Sequence, residues 1–62
     1  MLDYFEQPLN VGDRVAFVAR SGYLTSAYIT GFRGVEGYTF ALLHTDGNRR
    51  TEARCNNLVR QP

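Results

Sequence analysis

The sequence predicts an all-β fold, a small five-stranded barrel preceded by a short N-terminal arm. Short segments rich in apolar and β-branched residues alternate with turn signals, as in small barrels. No stretch of useful length has the 3.6-residue apolar period of a helix. Asp46-Gly47, followed by Asn48, is typical of a hairpin turn. Together these observations favour strands joined by tight turns.

The 62 residues allow one domain. Hydrophobic residues make up 44% and charged residues 21%, the balance of a folded chain. We expect residues 1–8 to form the arm, ending at Pro8, and residues 9–62 to form the barrel. The arm could pack on the barrel, form a helical turn or reach a partner.

The elements follow in chain order. Val11-Gly12-Asp13 supplies a turn that leads directly into the first strand. Gly31 marks a bend or bulge in the second strand, and residues 33–37 form a loop. Cys55-Asn56-Asn57 indicates one helical or 3₁₀ turn. The five predicted strands are residues 14–20, 24–32, 38–45, 49–54 and 58–60.

Alternation within the strands predicts the core. On the third strand Tyr38, Phe40 and Leu42 share one face, which we expect to point inward. Tyr28 then points outward from the second strand. The predicted core residues are Val11, Val15, Phe17, Ile29, Phe40, Leu42, Ala53 and Leu58.

The cysteine and histidine content excludes several kinds of site. Cys55 and His44 are single, so neither an internal disulfide nor a structural zinc site is expected. We interpret Cys55 as a buried filler and His44 as an exposed or capping residue. The carboxylates are scattered, and Asp13 and Asp46 are explained as turn formers. We therefore expect no catalytic, cofactor or metal-binding residue.

The N-terminal residues have no basic region followed by an apolar run, so we expect no signal peptide. No apolar stretch approaches the length of a membrane span. A single cysteine is also typical of a reducing compartment. The sequence thus predicts a cytoplasmic protein with no membrane partner.

All seven basic residues are arginine, and the formal net charge is only +1. The arginine fork matches phosphate and carboxylate, which favours a binding surface, although a GC-rich genome would give the same usage. The near-neutral balance argues against tight nonspecific nucleic-acid binding.

Arg49, Arg50 and Arg54 are the densest basic group, and Arg14 could lie near them in a barrel. These arginines could bind phosphate or an acidic protein surface, or they could be a solvated edge paired with acids such as Glu52. Tyr28 could contact a ligand or pack beneath the arm. The candidate partner-binding residues are Arg14, Tyr28, Arg49, Arg50 and Arg54.

The order of signals resembles the SH3-like barrel superfamily, in particular its KOW, Tudor and small phage or bacterial members. The resemblance covers about residues 9–60, and its motifs are structural. It implies the barrel fold and a role in binding nucleic acid, ribosomes, polymerases or peptides. The matching segments are Val11-Gly12-Asp13-Arg14-Val15, Ile29-Thr30-Gly31-Phe32, Tyr38-Thr39-Phe40-Ala41-Leu42-Leu43 and Asn57-Leu58-Val59-Arg60.

The scaffold also resembles the plasmid-type dihydrofolate reductases, tiny SH3-like chains that form a tetramer around one pore. The shared residues are Gly12-Asp13-Arg14-Val15, Ser21-Gly22, Glu36-Gly37-Tyr38, Leu58 and Arg60. Their pore segment, Val-Gln-Ile-Tyr, corresponds to about Arg50-Thr51-Glu52-Ala53 here. The amide, aliphatic and phenol groups are missing, so the reductase chemistry does not carry over.

Three hypotheses on function follow. The first is a non-catalytic module that docks on a protein or nucleoprotein assembly through the arginines and exposed aromatics. The second is a direct DNA- or RNA-binding protein. The third is an oligomeric enzyme with a site between subunits. The oligomeric state and the partner stay open.

Overall fold

The computed structural model describes residues 1–61 and confirms the all-β prediction. The strands are β1 (Arg14–Val18), β2 (Leu24–Val35), β3 (Tyr38–Thr45), β4 (Arg50–Arg54) and β5 (Val59–Arg60). A single 3₁₀ turn at Cys55–Asn57 lies between β4 and β5, where the asparagines predicted one. The predicted loop at residues 33–37 is shorter than expected, because β2 continues to Val35.

The strands form one antiparallel sheet in the order β4-β3-β2-β1-β5. Within residues 1–61, β4 and β5 are the two edges and do not pair with each other. The full closure expected of a barrel is therefore not observed. The sheet instead curls around one core and leaves an opening beside β4.

The turn before β1 corrects one core prediction. The Asp13 N–H donates to the Asn10 carbonyl at 3.1 Å, and Gly12 adopts a φ of 94° that few other residues tolerate. Val11 lies inside this turn and is 62% exposed, because the turn directs its side chain away from the sheet. Leu9 is buried instead.

The β3–β4 hairpin turns through residues 46–48. The Thr45 N–H donates to the Arg49 carbonyl at 2.8 Å, and Asn48 has a φ of 62°. This arrangement matches a three-residue hairpin whose last residue is left-handed. The left-handed position is therefore filled by Asn48 and not by Gly47, and the connection fixes the register of β4 against β3.

A β-bulge interrupts the pairing of β2 with β3 between Ile29 and Gly31, where the sequence predicted a bend or bulge. Before the bulge Ala27 and Ile29 face the core; after it the partly buried Phe32 packs there. The bulge thus shifts the alternation of β2 by one residue. Arg33, two residues beyond Gly31, consequently faces outward.

The inward face of β3 is the opposite of the one predicted. Ala41 and Leu43 are buried, whereas Phe40 and Leu42 are only partly buried and Tyr38 is exposed. Leu43 lies opposite the buried Ile29, so these two side chains meet in the core. The buried cluster is Leu9, Val15, Phe17, Ala27, Ile29, Ala41, Leu43, Cys55 and Leu58, with Ala53 packed against it.

The N-terminal arm is fastened by one buried carboxylate. Oδ1 of Asp3 accepts hydrogen bonds from the N–H groups of Phe5 and Gln7, and Oδ2 accepts one from the N–H of Arg60 in β5. The Tyr4 N–H also donates to the Leu58 carbonyl at 2.8 Å. Residues 1–8 are thereby held beside β5.

Candidate partner-binding face

One row of side chains crosses four strands on the side of the sheet away from the core. Arg14 in β1 lies opposite Tyr28 in β2, Tyr28 lies opposite His44 in β3, and His44 lies opposite Arg50 in β4. Directly opposed residues in an antiparallel sheet project from the same face. The strand pairing therefore places two arginines, a tyrosine and a histidine side by side on this face.

A second row lies four residues earlier in β3. Phe40 stands between Arg33 in β2 and Arg54 in β4, and Tyr38 precedes it at the start of the strand. Leu42 and Glu52 form the row between the two. We call this surface the outer face; its residues are Arg14, Tyr28, Arg33, Tyr38, Phe40, Leu42, His44, Arg50, Glu52 and Arg54.

Two arginines of the outer face make bidentate pairs with carboxylates. Arg14 donates to the two oxygens of Asp46, at 3.2 and 2.5 Å. Arg33 is also bidentate: its Nε and Nη2 donate to the two oxygens of Glu52, at 3.2 and 2.5 Å. The hydrogen bond to Asp46 is the main cause that raises the pKa of Arg14. Both pairs are exposed, and such surface pairs contribute little to stability.

Aromatic rings lie beneath three of the arginines. The guanidinium carbon of Arg14 is 5.1 Å from the ring centre of Tyr28, that of Arg33 is 5.6 Å from Phe40, and that of Arg54 is 4.2 Å from Tyr38. These distances are within the range of a cation–π contact. The stacking orients the charged groups across the face.

Arg50 has neither kind of partner among residues 1–61. It lines a shallow groove of about 580 Å³ together with Leu42, His44 and Glu52. A neighbouring depression of about 620 Å³ shares Thr30 and His44 with the groove and extends to Tyr28 and Asp46. The outer face therefore combines an open concavity with a guanidinium that is available to an anion.

His44 contacts the hairpin turn, and Cys55 lies in the core. Nε2 of His44 lies 2.8 Å from Oδ1 of Asn48, so the histidine braces the hairpin turn. The predicted burial of Cys55 is confirmed, and burial raises the pKa of its thiol. Within residues 1–61, no three His, Cys, Asp or Glu side chains cluster as metal ligands would.

The five candidate residues do not share one surface. Arg14, Tyr28, Arg50 and Arg54 lie on the outer face, and Tyr28 is 47% exposed under Arg14. Arg49 lies at the base of the hairpin, where its N–H donates to Oγ1 of Thr45. The aromatic side chains of the arm, Tyr4 and Phe5, pack on each other with ring centres 5.0 Å apart.

Sequence reasoning misplaced four residues of the outer face. Tyr38, Phe40 and Leu42 were expected to point inward, and Arg33 was expected in a loop. The register of the β3–β4 hairpin predicts the correct outward face of β3. A turn that pairs Thr45 with Arg49 sets His44, Leu42 and Phe40 opposite Arg50, Glu52 and Arg54, and three charged side chains in a row mark a solvent face.

The fold and this face define a small all-β domain with an arginine and aromatic surface. The chain belongs to the family described as Domain of unknown function (DUF7205), whose profile matches residues 1–57. Searches of curated proteins and of solved structures found no match. None of the helical turns in residues 1–61 has the length and apolar character needed to cross a bilayer.

Proposed function

We propose that this chain is a non-catalytic binding module that docks on a larger protein or nucleoprotein assembly through its outer face. The observation that carries the proposal is the row of Arg14, Tyr28, His44 and Arg50 across four strands. A rigid sheet holds these groups at fixed spacing, as recognition requires. We expect Arg50, which lies beside the groove, to contact the partner directly.

The chemistry of the face suits an anionic partner. Arg14 and Arg33 already make bidentate pairs with the carboxylates of Asp46 and Glu52, and Arg50 can bind a carboxylate or phosphate of a partner in the same way. Tyrosine and arginine are also the residue types that most often dominate binding energy at protein interfaces.

The proposal includes an SH3-like architecture and a cytoplasmic location. The strand order β4-β3-β2-β1-β5, with a 3₁₀ turn between β4 and β5, supports the first. The single free thiol of Cys55 supports the second, because structural disulfides mark oxidising compartments.

Direct binding to DNA or RNA is the second candidate. Tyr28, Phe40 and Tyr38 lie beside arginines on one face, and bases stack on such aromatic surfaces. The net charge of +1 weighs against this candidate, because nonspecific affinity for nucleic acid depends on neutralising phosphates.

Capture from cell lysate with and without nuclease separates the two candidates. A protein partner stays bound after nuclease treatment, whereas a nucleic acid is lost and binds with a steep salt dependence. We expect Tyr28→Ala and Arg54→Ala to reduce capture. Arg60→Ala is the matched control, because it removes one arginine on β5, away from the outer face. Equal capture by all three variants would overturn the proposal.

A further inference from the structure

A second concave surface lies at the opening of the sheet. This cleft, of about 710 Å³, is bounded on one side by residues 49–53 and on the other by residues 17–21, with Thr25 and Thr45 between them. It therefore separates the free edge of β4 from the end of the β1–β2 hairpin. The outer face shares only Arg50 and Glu52 with it.

The backbone of β4 is unpaired on the side of the cleft. Because Thr45 bonds to Arg49 across the hairpin, the hydrogen-bonding groups of Arg49, Thr51 and Ala53 point toward β3. Those of Arg50 and Glu52 point the opposite way, and no other strand within residues 1–61 pairs with this edge. Five residues of edge span about 17 Å.

The charge at the cleft is uncompensated. Arg20, Arg49 and Arg50 line it, and none of them has an ion pair among residues 1–61. The one acid in the lining, Glu52, is held by Arg33. The cleft thus presents three free guanidinium groups to any occupant.

Both walls of the cleft also offer apolar contact. Phe17 and Val18 contribute from one wall and Ala53 from the other, and Val18 is 67% exposed. An extended segment in the cleft would place one set of alternate side chains on these apolar groups and the other set near the arginines.

We propose that the cleft receives an extended acidic segment of a partner protein, which adds to β4 as a further strand. Its main chain bonds to Arg50 and Glu52, and its carboxylates bind Arg20, Arg49 and Arg50. Strand addition gives affinity through the main chain and selectivity through alternate side chains. The cleft shares Arg50 and Glu52 with the outer face, so Arg20 and Arg49, which lie outside that face, distinguish the two sites.

The test uses a synthetic peptide of four Asp-Val repeats with blocked ends and the ¹⁵N-labelled full chain. We expect the amide hydrogens of Arg50 and Glu52 to exchange with solvent at least tenfold more slowly in the bound state, because each gains a carbonyl acceptor on the peptide. A peptide N-methylated at every residue, which has no amide N–H left to donate from either edge, should lose the binding. A Lys-Val peptide should also fail to bind.

Matched single variants test the charge assignment. Arg20→Ala and Arg49→Ala, each made alone, should weaken peptide binding by about tenfold or more, as expected on losing charge-assisted hydrogen bonds. Arg60→Ala removes the same charge away from both the cleft and the outer face, and it should change the affinity less than threefold.

The proposal is overturned by any of three results. These are absence of peptide binding at millimolar concentration, unchanged exchange at Arg50 and Glu52 when peptide is bound, and equal affinity of Arg60→Ala and the two cleft variants. Oligothymidylate is the competing probe. If it binds through Arg20 and Arg49 while the peptide leaves the edge amides unprotected, the cleft takes nucleic acid instead.

Discussion

Asp3 shows how one residue fixes the N-terminal arm. Its carboxylate is buried and accepts three backbone hydrogen bonds, including one from Arg60 in β5. Burial acts to raise the pKa of Asp3, but the hydrogen bonds from Arg60, Gln7 and Phe5 outweigh it, and the net pKa is lowered. The sequence offered no signal for this role, because the three donors are backbone groups.

We predict that Asp3→Asn destabilises the domain by about 1–3 kcal/mol at neutral pH. The amide oxygen can replace Oδ1, but the amide nitrogen would face the Arg60 N–H, which is also a donor and would be left unsatisfied. Thermal and urea unfolding measure the loss. Identical unfolding curves for the two proteins would contradict the role of Asp3.

The same pair of proteins predicts a pH dependence. A carboxylate with a lowered folded-state pKa adds stability above its unfolded pKa, and this contribution is lost as the pH falls through the folded value. The difference in unfolding free energy between wild type and Asp3→Asn should therefore shrink below about pH 4. A constant difference from pH 7 to pH 3 would show that the charge is irrelevant.

Cys55 predicts slow thiol chemistry in the folded state. Burial raises the pKa of the thiol and restricts access to it, so little thiolate meets a reagent at neutral pH. We expect labelling by Ellman's reagent to be limited by unfolding and to become fast in guanidinium. Rapid stoichiometric labelling of the native protein would contradict the burial.

At the scale of elements, β3 shows where alternation alone misleads. Tyr38, Phe40 and Leu42 share one face, which was expected to point inward. The structure instead buries Ala41 and Leu43 of the other face, and Ala41 lies opposite Ala53 across the hairpin. Predicting Ala53 inside already required Ala41 to be inside, so the register of the hairpin was the stronger constraint.

Leu43→Ala and Leu42→Ala test this assignment as neighbours of identical chemistry. Leu43 is fully buried opposite Ile29, and its truncation should cost about 2–5 kcal/mol. Leu42 is only partly buried on the outer face, so its truncation should cost much less. If the Leu43 variant fails to fold while the Leu42 variant folds, the assignment also holds. A larger loss from Leu42→Ala would reverse the two faces.

Strand positions were more predictable than strand faces. The positions of Gly and Asn residues predicted the hairpin, the bulge near Gly31 and the turn at Cys55–Asn57, because these features depend on local backbone preferences. The extension of β2 to Val35 was missed, because residues 33–35 are held by pairing with β3 and not by local propensity.

At the scale of the whole molecule, the pairing of distant strands decides which arginines meet. Arg14 joins Tyr28, His44 and Arg50 because β1 and β4 flank β2 and β3, and no local pattern reveals that order. Arg49, adjacent to Arg50 in sequence, lines the cleft but is not part of the outer face. The sequence therefore indicated an arginine surface, but it grouped Arg49 with Arg50 and Arg54, whereas the structure places Arg49 away from the outer face.

Site-specific photo-crosslinking tests the central claim, that the outer face binds the partner, and it works whatever the partner is. A photoreactive phenylalanine, p-benzoylphenylalanine, replaces Tyr28 on the outer face or Tyr4 on the arm, both of which are exposed. We expect covalent adducts in lysate from position 28 and few from position 4. Adducts from position 4 alone, or none from position 28 in a folded protein, would contradict the claim.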